Sequence, residues 1–338
     1  MTEDPRTRDT ERLAALLRGH ITTQLIAAAV RLGIPDHLAD GERTDGQLAE
    51  LTGIALPVLQ RYLRALLGLE LVAPAGPGRY RLAPLGELLR RDLGVLGGQA
   101  MMAGDDYYLA WRDLDHALRT GESAFEHRHG CSVWDRLARD PEIAAGFTRT
   151  MRCNTGHVLD EILGLYEFPA TGVVADLGAG DGTLLAGLLR RFPGLRGIAL
   201  EQPAVIDHVR RTLDDHGVAA RCEVVAGSFL DRVPAGADLY VLKSVIHNWS
   251  DDHALRILGN VRAALGDRGR LLVIERAASD AGDPLQIAVR DLTMLVLFGS
   301  KDRTAGEYAA LVERAGLNVR RTKAGRSQLC LVEATRVA

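Results

Sequence analysis

Three glycines, two acids and one histidine carry the chemistry that this sequence offers most plainly. Gly178, Gly180 and Gly182 fall within VVADLGAGDGTLLAGLLRRF, which reads as a strand, a tight loop and a helix. Glycines there give backbone freedom and let a ligand approach the main chain. The helix start adds partly positive N–H groups. Glu201 closes the following apolar run, GIALE, where a carboxylate accepts hydrogen bonds from both hydroxyls of a ribose. A dinucleotide fingerprint, G-x-G-x-x-G, would need glycine at 183, but Thr183 stands there. Asp176 also places a negative charge beside the loop, which suits sulfonium and ammonium charges better than a pyrophosphate.

His247, in LKSVIHNWSDD, follows the fourth apolar run of an alternating strand–helix series. Open α/β sheets bind ligands at the carboxyl ends of their strands. Histidine is the side chain best suited to proton transfer near neutral pH. A phenol has a pKa near ~10, so a base raises its nucleophilicity. Asp251 and Asp252 could instead suggest a divalent metal, but Ser250-Asp251-Asp252 also reads as a helix start, where acids oppose the dipole. Capping is the preferred reading, and no metal is expected.

These residues need elements to hold them. VVADL, GIAL, CEVVAG, DLYVLKSV and RLLVIE alternate with helical stretches, which predicts a parallel sheet covered on both faces over 169–338. The chain then reads as a helix, AGEYAALVERAGL, and an antiparallel hairpin. Over 1–92, apolar residues from Leu13 to Leu32 recur at helical spacing, followed by two short helices and a Gly/Pro-turned hairpin, a winged-helix pattern. Residues 1–90 hold 11 Arg and 11 Asp plus Glu, so a basic DNA-reading face is not expected. A helical dimerisation module is the preferred reading. Residues 93–168 read as a further helical region that holds 8 of the 16 aromatic residues. Such helices are commonly core, and they also wall pockets for planar ligands. Trp111, Phe147, Met151 and Asn154, with Met294 and Phe298 further on, are the candidate pocket residues.

A 338-residue chain with 47% hydrophobic and 25% charged residues is ordinary for a globular protein, and a net charge of -3 predicts no strong attraction to nucleic acid or anionic membrane. No apolar run is expected to approach a membrane span, and the charged amino terminus lacks a signal core. Four cysteines without a C-x-x-C pair suit free thiols in a cytoplasmic protein. Arginine outnumbers lysine 38 to 3, as a GC-rich bacterial genome would produce.

DLGAGDG (176–182), LKSVIHNWSDD (242–252), VIE (273–275) and DLTMLVLFGSKDRT (291–304) together resemble the S-adenosylmethionine-dependent O-methyltransferases of the caffeate and hydroxyindole type, and the likeness covers nearly the whole chain. The resemblance implies a class I methyltransferase Rossmann-like domain with an N-terminal winged-helix dimerisation domain, hence a homodimer. It implies S-adenosylmethionine as methyl donor, S-adenosylhomocysteine as product, and a small aromatic acceptor, here of natural-product (antibiotic) type. Gly178, Gly180 and Glu201 match glycine-loop and ribose positions, with Asp176 opening the same DLGAGDG motif, and Lys243 matches a lysine near the cofactor. Ser228 and Phe229 match a pair near the adenine, where the family usually has Asp in place of Ser228. His247 matches the catalytic base, flanked by Glu275 and Asp302. Salt bridges to Arg276 or Arg303 are the structural alternative for the two acids. Two other functions remain: a relative that binds the cofactor yet hydroxylates or decarboxylates its substrate, and a ligand-sensing winged-helix regulator.

Overall fold

The computed structural model describes residues 5–92, 96–278 and 283–337, and its contacts divide the chain into two units. One holds residues up to 109 together with 140–150; the other holds 110–139 and 151 onward. The expected separate region at 93–168 is therefore shared between the units, with one boundary falling inside the long helix Pro141–Leu165.

In the first unit the expected continuous N-terminal helix is two, Pro5–Leu17 and Gly19–Arg31, interrupted at Arg18. Glycine at 19 is a weak helix former, which suits a break there. Arg6–Arg31 meets the length and apolar composition of a membrane span, but the break at Arg18 divides it into two helices of 13 residues, each shorter than a span needs. Helices Asp45–Thr52 and Leu56–Gly68 follow, the first started by a capping box between Thr44 and Gln47. β1 (Arg43–Thr44), β2 (Val72–Gly76) and β3 (Arg79–Leu82) form a small antiparallel sheet in the order β1-β3-β2, the wing of a winged helix. Leu48, Leu59, Leu63 and Leu66 are fully buried in its core. By contrast, Leu13, Leu16 and Leu17 are 59%, 65% and 68% exposed, so the first helix presents an apolar face that nothing in its own fold covers.

The second unit is built on seven strands: β4 (Thr171–Leu177), β5 (Gly194–Glu201), β6 (Cys222–Ala226), β7 (Leu239–Lys243), β8 (Arg270–Arg276), β9 (Leu317–Ala324) and β10 (Leu329–Arg336). Their order is β6-β5-β4-β7-β8-β10-β9, parallel except for β10, which runs antiparallel to both neighbours. Side chains alternate between the two faces. Tyr240, Leu242, Leu271 and Val273 join one core, while Leu239, Val241, Leu272 and Ile274 join the other. Both faces are covered, which explains why these strands read as unbroken apolar runs. The order reverses between β4 and β7, so a crevice opens at their carboxyl ends. The glycine loop leaves one of these strands and the His247 segment leaves the other.

Candidate active site

The glycine loop adopts backbone angles that only glycine takes readily, with φ of 74° at Gly178, 60° at Gly180 and 85° at Gly182. A Cβ at Gly178 would stand 3.1 Å from Phe229 and Val245, whereas one at Gly180 would meet nothing within 4 Å. Gly178 is thus fixed by close packing, and Gly180 faces open space. Gly182 caps the helix Thr183–Arg191. Glu201 Oε2 accepts from the Gly180 N–H (2.8 Å) and Oε1 from the Gln202 N–H (2.7 Å). Burial pushes its carboxyl upward in pKa, and those two bonds oppose the shift. Each oxygen keeps a further acceptor direction.

Asp176 lies 2% exposed at the end of β4, and its Oδ2 has no hydrogen-bond partner among the described residues. Burial pushes its pKa up to about 7; Lys243 opposes the shift, while Glu201 and Asp181 add to it. Burial conversely lowers the Lys243 ammonium, and Asp176 and Glu275 pull it back. Ser228 Oγ accepts from Leu230 N–H at 3.1 Å, turning the chain after β6. Phe229 sits edge-on to Trp249, ring centroids 5.9 Å apart. Asp181, within the loop, pairs with Arg152 and accepts from the Thr183 hydroxyl (2.7 Å). The sequence reading passed over that pair; an acid inside the glycine loop was its only local signal.

His247 sits in a single 3-10 turn, Ile246–Asn248, just beyond β7. Its Nδ1 lies 2.6 Å from Glu275 Oε2. Glu275 is fully buried on β8, and its Oε1 accepts from the N–H groups of Val245 (2.9 Å) and Ile246 (2.7 Å). One carboxylate therefore holds both the imidazole and the backbone that carries it. Asp302, expected to flank the base, has partners of its own. Its carboxylate pairs with Arg290 and its N–H donates to Asp291 Oδ1 at 2.9 Å. The two arginines considered from sequence have other partners. Arg276 bonds Gln328, and Arg303 bonds Asp251 and two carbonyls beside His247. Ser250 Oγ accepts from the His253 N–H (3.5 Å) at the start of the helix Asp251–Ala264, and the Asp251 carboxylate is taken by Arg303 and Arg314. Among the described residues no three His, Cys, Asp or Glu side chains are placed to hold a metal ion.

A cavity of about 790 Å³ adjoins these elements, lined by Gln202, Asn248, Trp249, Trp134, His127 and Phe298 among others. Trp134 stacks on Phe298 (5.5 Å, 23°) and on Trp249 (6.5 Å, 23°), a wall that matches flat rings. Of the pocket residues expected from sequence, Phe298 lines this cavity. Trp111, Met151, Asn154 and Met294 do not, and Phe147 belongs to the other unit. Trp134 and Trp249, which line this cavity, were not singled out from sequence because aromatic clustering marks a stretch of chain and not a direction.

Residues 111–318 match the model of the O-methyltransferase domain, and residues 14–92 that of the O-methyltransferase dimerisation domain. The chain is 36% identical over 323 residues to a phenazine O-methyltransferase of Lysobacter antibioticus, covering 95% of each chain. It is also 36% identical over 310 residues to the mitomycin biosynthesis 6-O-methyltransferase of Streptomyces lavendulae, covering 91% of this chain and 88% of that one. Among solved structures, it is similar to an O-methyltransferase from neocarzinostatin biosynthesis, in complex with S-adenosylmethionine and 2-hydroxy-5-methyl naphthoic acid. The TM-score is 0.81 at 36% identity, over 94% of this chain and 96% of that one.

Proposed function

Given that the chain belongs to the S-adenosylmethionine-dependent O-methyltransferases, we propose that it methylates a phenolic hydroxyl of a small aromatic natural-product intermediate, with His247 as general base. The observation that carries this reading is the hydrogen bond of 2.6 Å between His247 Nδ1 and Glu275 Oε2. A carboxylate only accepts, so Nδ1 carries the proton and Nε2 keeps its lone pair. An Nε2 lone pair is what a base needs. The acceptor oxygen gives its proton to Nε2 and gains the methyl carbon, so the product is a methyl ether.

The residues present fit the cofactor. Asp176 offers an orphaned, buried carboxylate oxygen to a cationic ligand, Gly180 leaves open space beside the main chain, and Glu201 retains acceptor capacity for ribose hydroxyls. Bound there, S-adenosylmethionine supplies a methyl group activated by a positively charged sulfur, and S-adenosylhomocysteine remains. Lys243 and Arg152 supply the cations nearby that an amino-acid carboxylate needs. The stacked Trp134, Trp249 and Phe298 rings favour a planar acceptor.

The buried Glu275 under His247 supports methyl transfer, because it holds the imidazole in the tautomer that a base for the acceptor hydroxyl needs. The reading includes a homodimer formed through the N-terminal unit, whose match to a dimerisation domain at 14–92 takes in Leu16 and Leu17 of the uncovered first helix, and a cytoplasmic site of action. No role in binding DNA or membrane belongs to it.

The test is methyl transfer itself. Purified protein is incubated with S-adenosylmethionine and a panel of mono- and dihydroxylated naphthoates, phenazines and benzoates, and products are read by mass spectrometry. A gain of one methyl group on oxygen is the expected result; oxygen insertion or loss of carbon dioxide would overturn it. Calorimetry with S-adenosylmethionine and with NAD tests the cofactor. Glu201→Ala is expected to weaken S-adenosylmethionine binding by about 1.5–3 kcal/mol, the worth of hydrogen bonds to a charged acceptor.

A further inference from the structure

The backbone around His247 is gripped from its carbonyl side by a segment to which no role has so far been given. Arg303 is 1% exposed. Its Nη1 donates to the Ile246 carbonyl (3.1 Å) and its Nη2 to the Trp249 carbonyl (2.9 Å), so one guanidinium spans the turn that carries His247. Its charge is balanced by Asp251 Oδ1, 2.7 Å from Nη2 and 3.2 Å from Nε. Ser300, also buried, donates its hydroxyl to the His247 carbonyl itself at 2.7 Å. Glu275 holds the N–H side of the same turn.

We propose that Ser300 and Arg303 are positioning residues for methyl transfer: they set the orientation of the His247 peptide, and through it the direction of the imidazole. The inference rests on the reading of His247 as base. A peptide plane held at its oxygen fixes the Cα–Cβ direction, and the Glu275 bond then fixes the ring. Only a planar fork reaches two carbonyls and a carboxylate at once; a lysine ammonium in its place is a point donor on a flexible stem. Ser300 also takes a backbone bond from its own N–H to the Met294 carbonyl (3.2 Å), which ties the turn to the end of the helix Pro284–Phe298. A misplacement of the base by a fraction of an ångström or more is felt in kcat and not in cofactor binding.

The experiment is a double-mutant cycle between Ser300→Ala and His247→Ala, with Arg303→Lys as a second probe, using the best acceptor from the panel above. The Ser300 hydroxyl bonds a backbone oxygen that His247→Ala retains, so any purely structural contribution persists in both backgrounds. Ser300→Ala is expected to lower kcat about tenfold in the native background, to leave KM for S-adenosylmethionine unchanged, and to have no further effect when His247 is alanine. Arg303→Lys is expected to lower kcat at least as much; if it does not fold, Ser300→Ala alone decides. An equal loss in both backgrounds, or no loss in the native one, overturns the positioning role while leaving the base reading intact. If His247→Ala alone turns over as fast as the native enzyme, the base reading falls and this inference with it.

Discussion

At the level of single atoms the proposed chemistry turns on the pair His247 and Glu275, joined by a hydrogen bond of 2.6 Å. His247→Ala is expected to lower kcat by about 10²–10⁴, the usual contribution of a general base, with S-adenosylmethionine binding unchanged by calorimetry. Retention of more than about a tenth of native turnover would mean that catalysis is mostly alignment. Glu275→Gln is the sharper probe because it preserves shape. Glu275 Oε1 takes two backbone N–H donors, so glutamine would keep its carbonyl there and turn its amide N–H toward Nδ1. That would force the imidazole proton onto Nε2 and remove the lone pair. We expect kcat to fall by about 10²–10⁴ with little change in cofactor affinity, as when a comparable His–carboxylate pair loses its tautomer control. Native-like turnover by this variant would show that the carboxylate does not select the tautomer. Asp302 gives no parallel prediction, since its carboxylate is taken by Arg290.

The loop between β4 and its helix acts as one element, and its charge state is the next quantity to test. The Asp176 carboxyl is pushed up to about 7 by burial, so in the unliganded protein its ionisation opposes folding. The associated stability is present below the ordinary carboxylate pKa and is lost as pH rises through about 7. A cationic ligand reverses the preference, because it favours the charged carboxylate. S-adenosylmethionine affinity, measured by calorimetry from pH 5 to 8, is therefore expected to rise with pH, and Asp176→Asn to flatten that rise. Glu201, whose carboxyl is also raised, contributes to any residual slope; an Asp176→Asn variant with the full native slope would reject the assignment. This element was legible in the sequence because strand, loop and helix are consecutive, and the pairing of β4 with β5 then brings Glu201 to Gly180. His247 and Glu275 were legible for a similar reason, as the ends of neighbouring parallel strands. The Arg303 grip was not, since it joins residues 57 positions apart across an irregular turn. The cavity wall was not either: helical periodicity says that Trp134 and Met294 lie on helices, but not which of them faces the hollow.

At the scale of the whole molecule the remaining question is what covers the first helix. Leu13, Leu16 and Leu17 share a helix in which none of residues 6–17 is buried, and each is more than half exposed. Burying such a side chain is worth about 1.5–3 kcal/mol, so three left in water are a sizeable unspent contribution. A membrane would cover them, and so would a second copy of the chain; the match of residues 14–92, which takes in Leu16 and Leu17, to a dimerisation domain favours the copy. A two-fold interface places the same patch on both subunits, so each substitution acts twice. Replacing Leu13, Leu16 and Leu17 with Glu would set like charges against each other where apolar surface met. The net charge of -3 makes nonspecific attraction to anionic lipid or nucleic acid a poor rival explanation for association. Light scattering at micromolar concentration is expected to give twice the mass of the chain for the native protein and a shift toward monomer for the triple variant. A native monomer with full activity would refute the dimer. A triple variant that stays dimeric with undiminished affinity would move the interface elsewhere in the N-terminal unit, and the loss of native association with vesicles in that same variant would point to lipid as the cover instead.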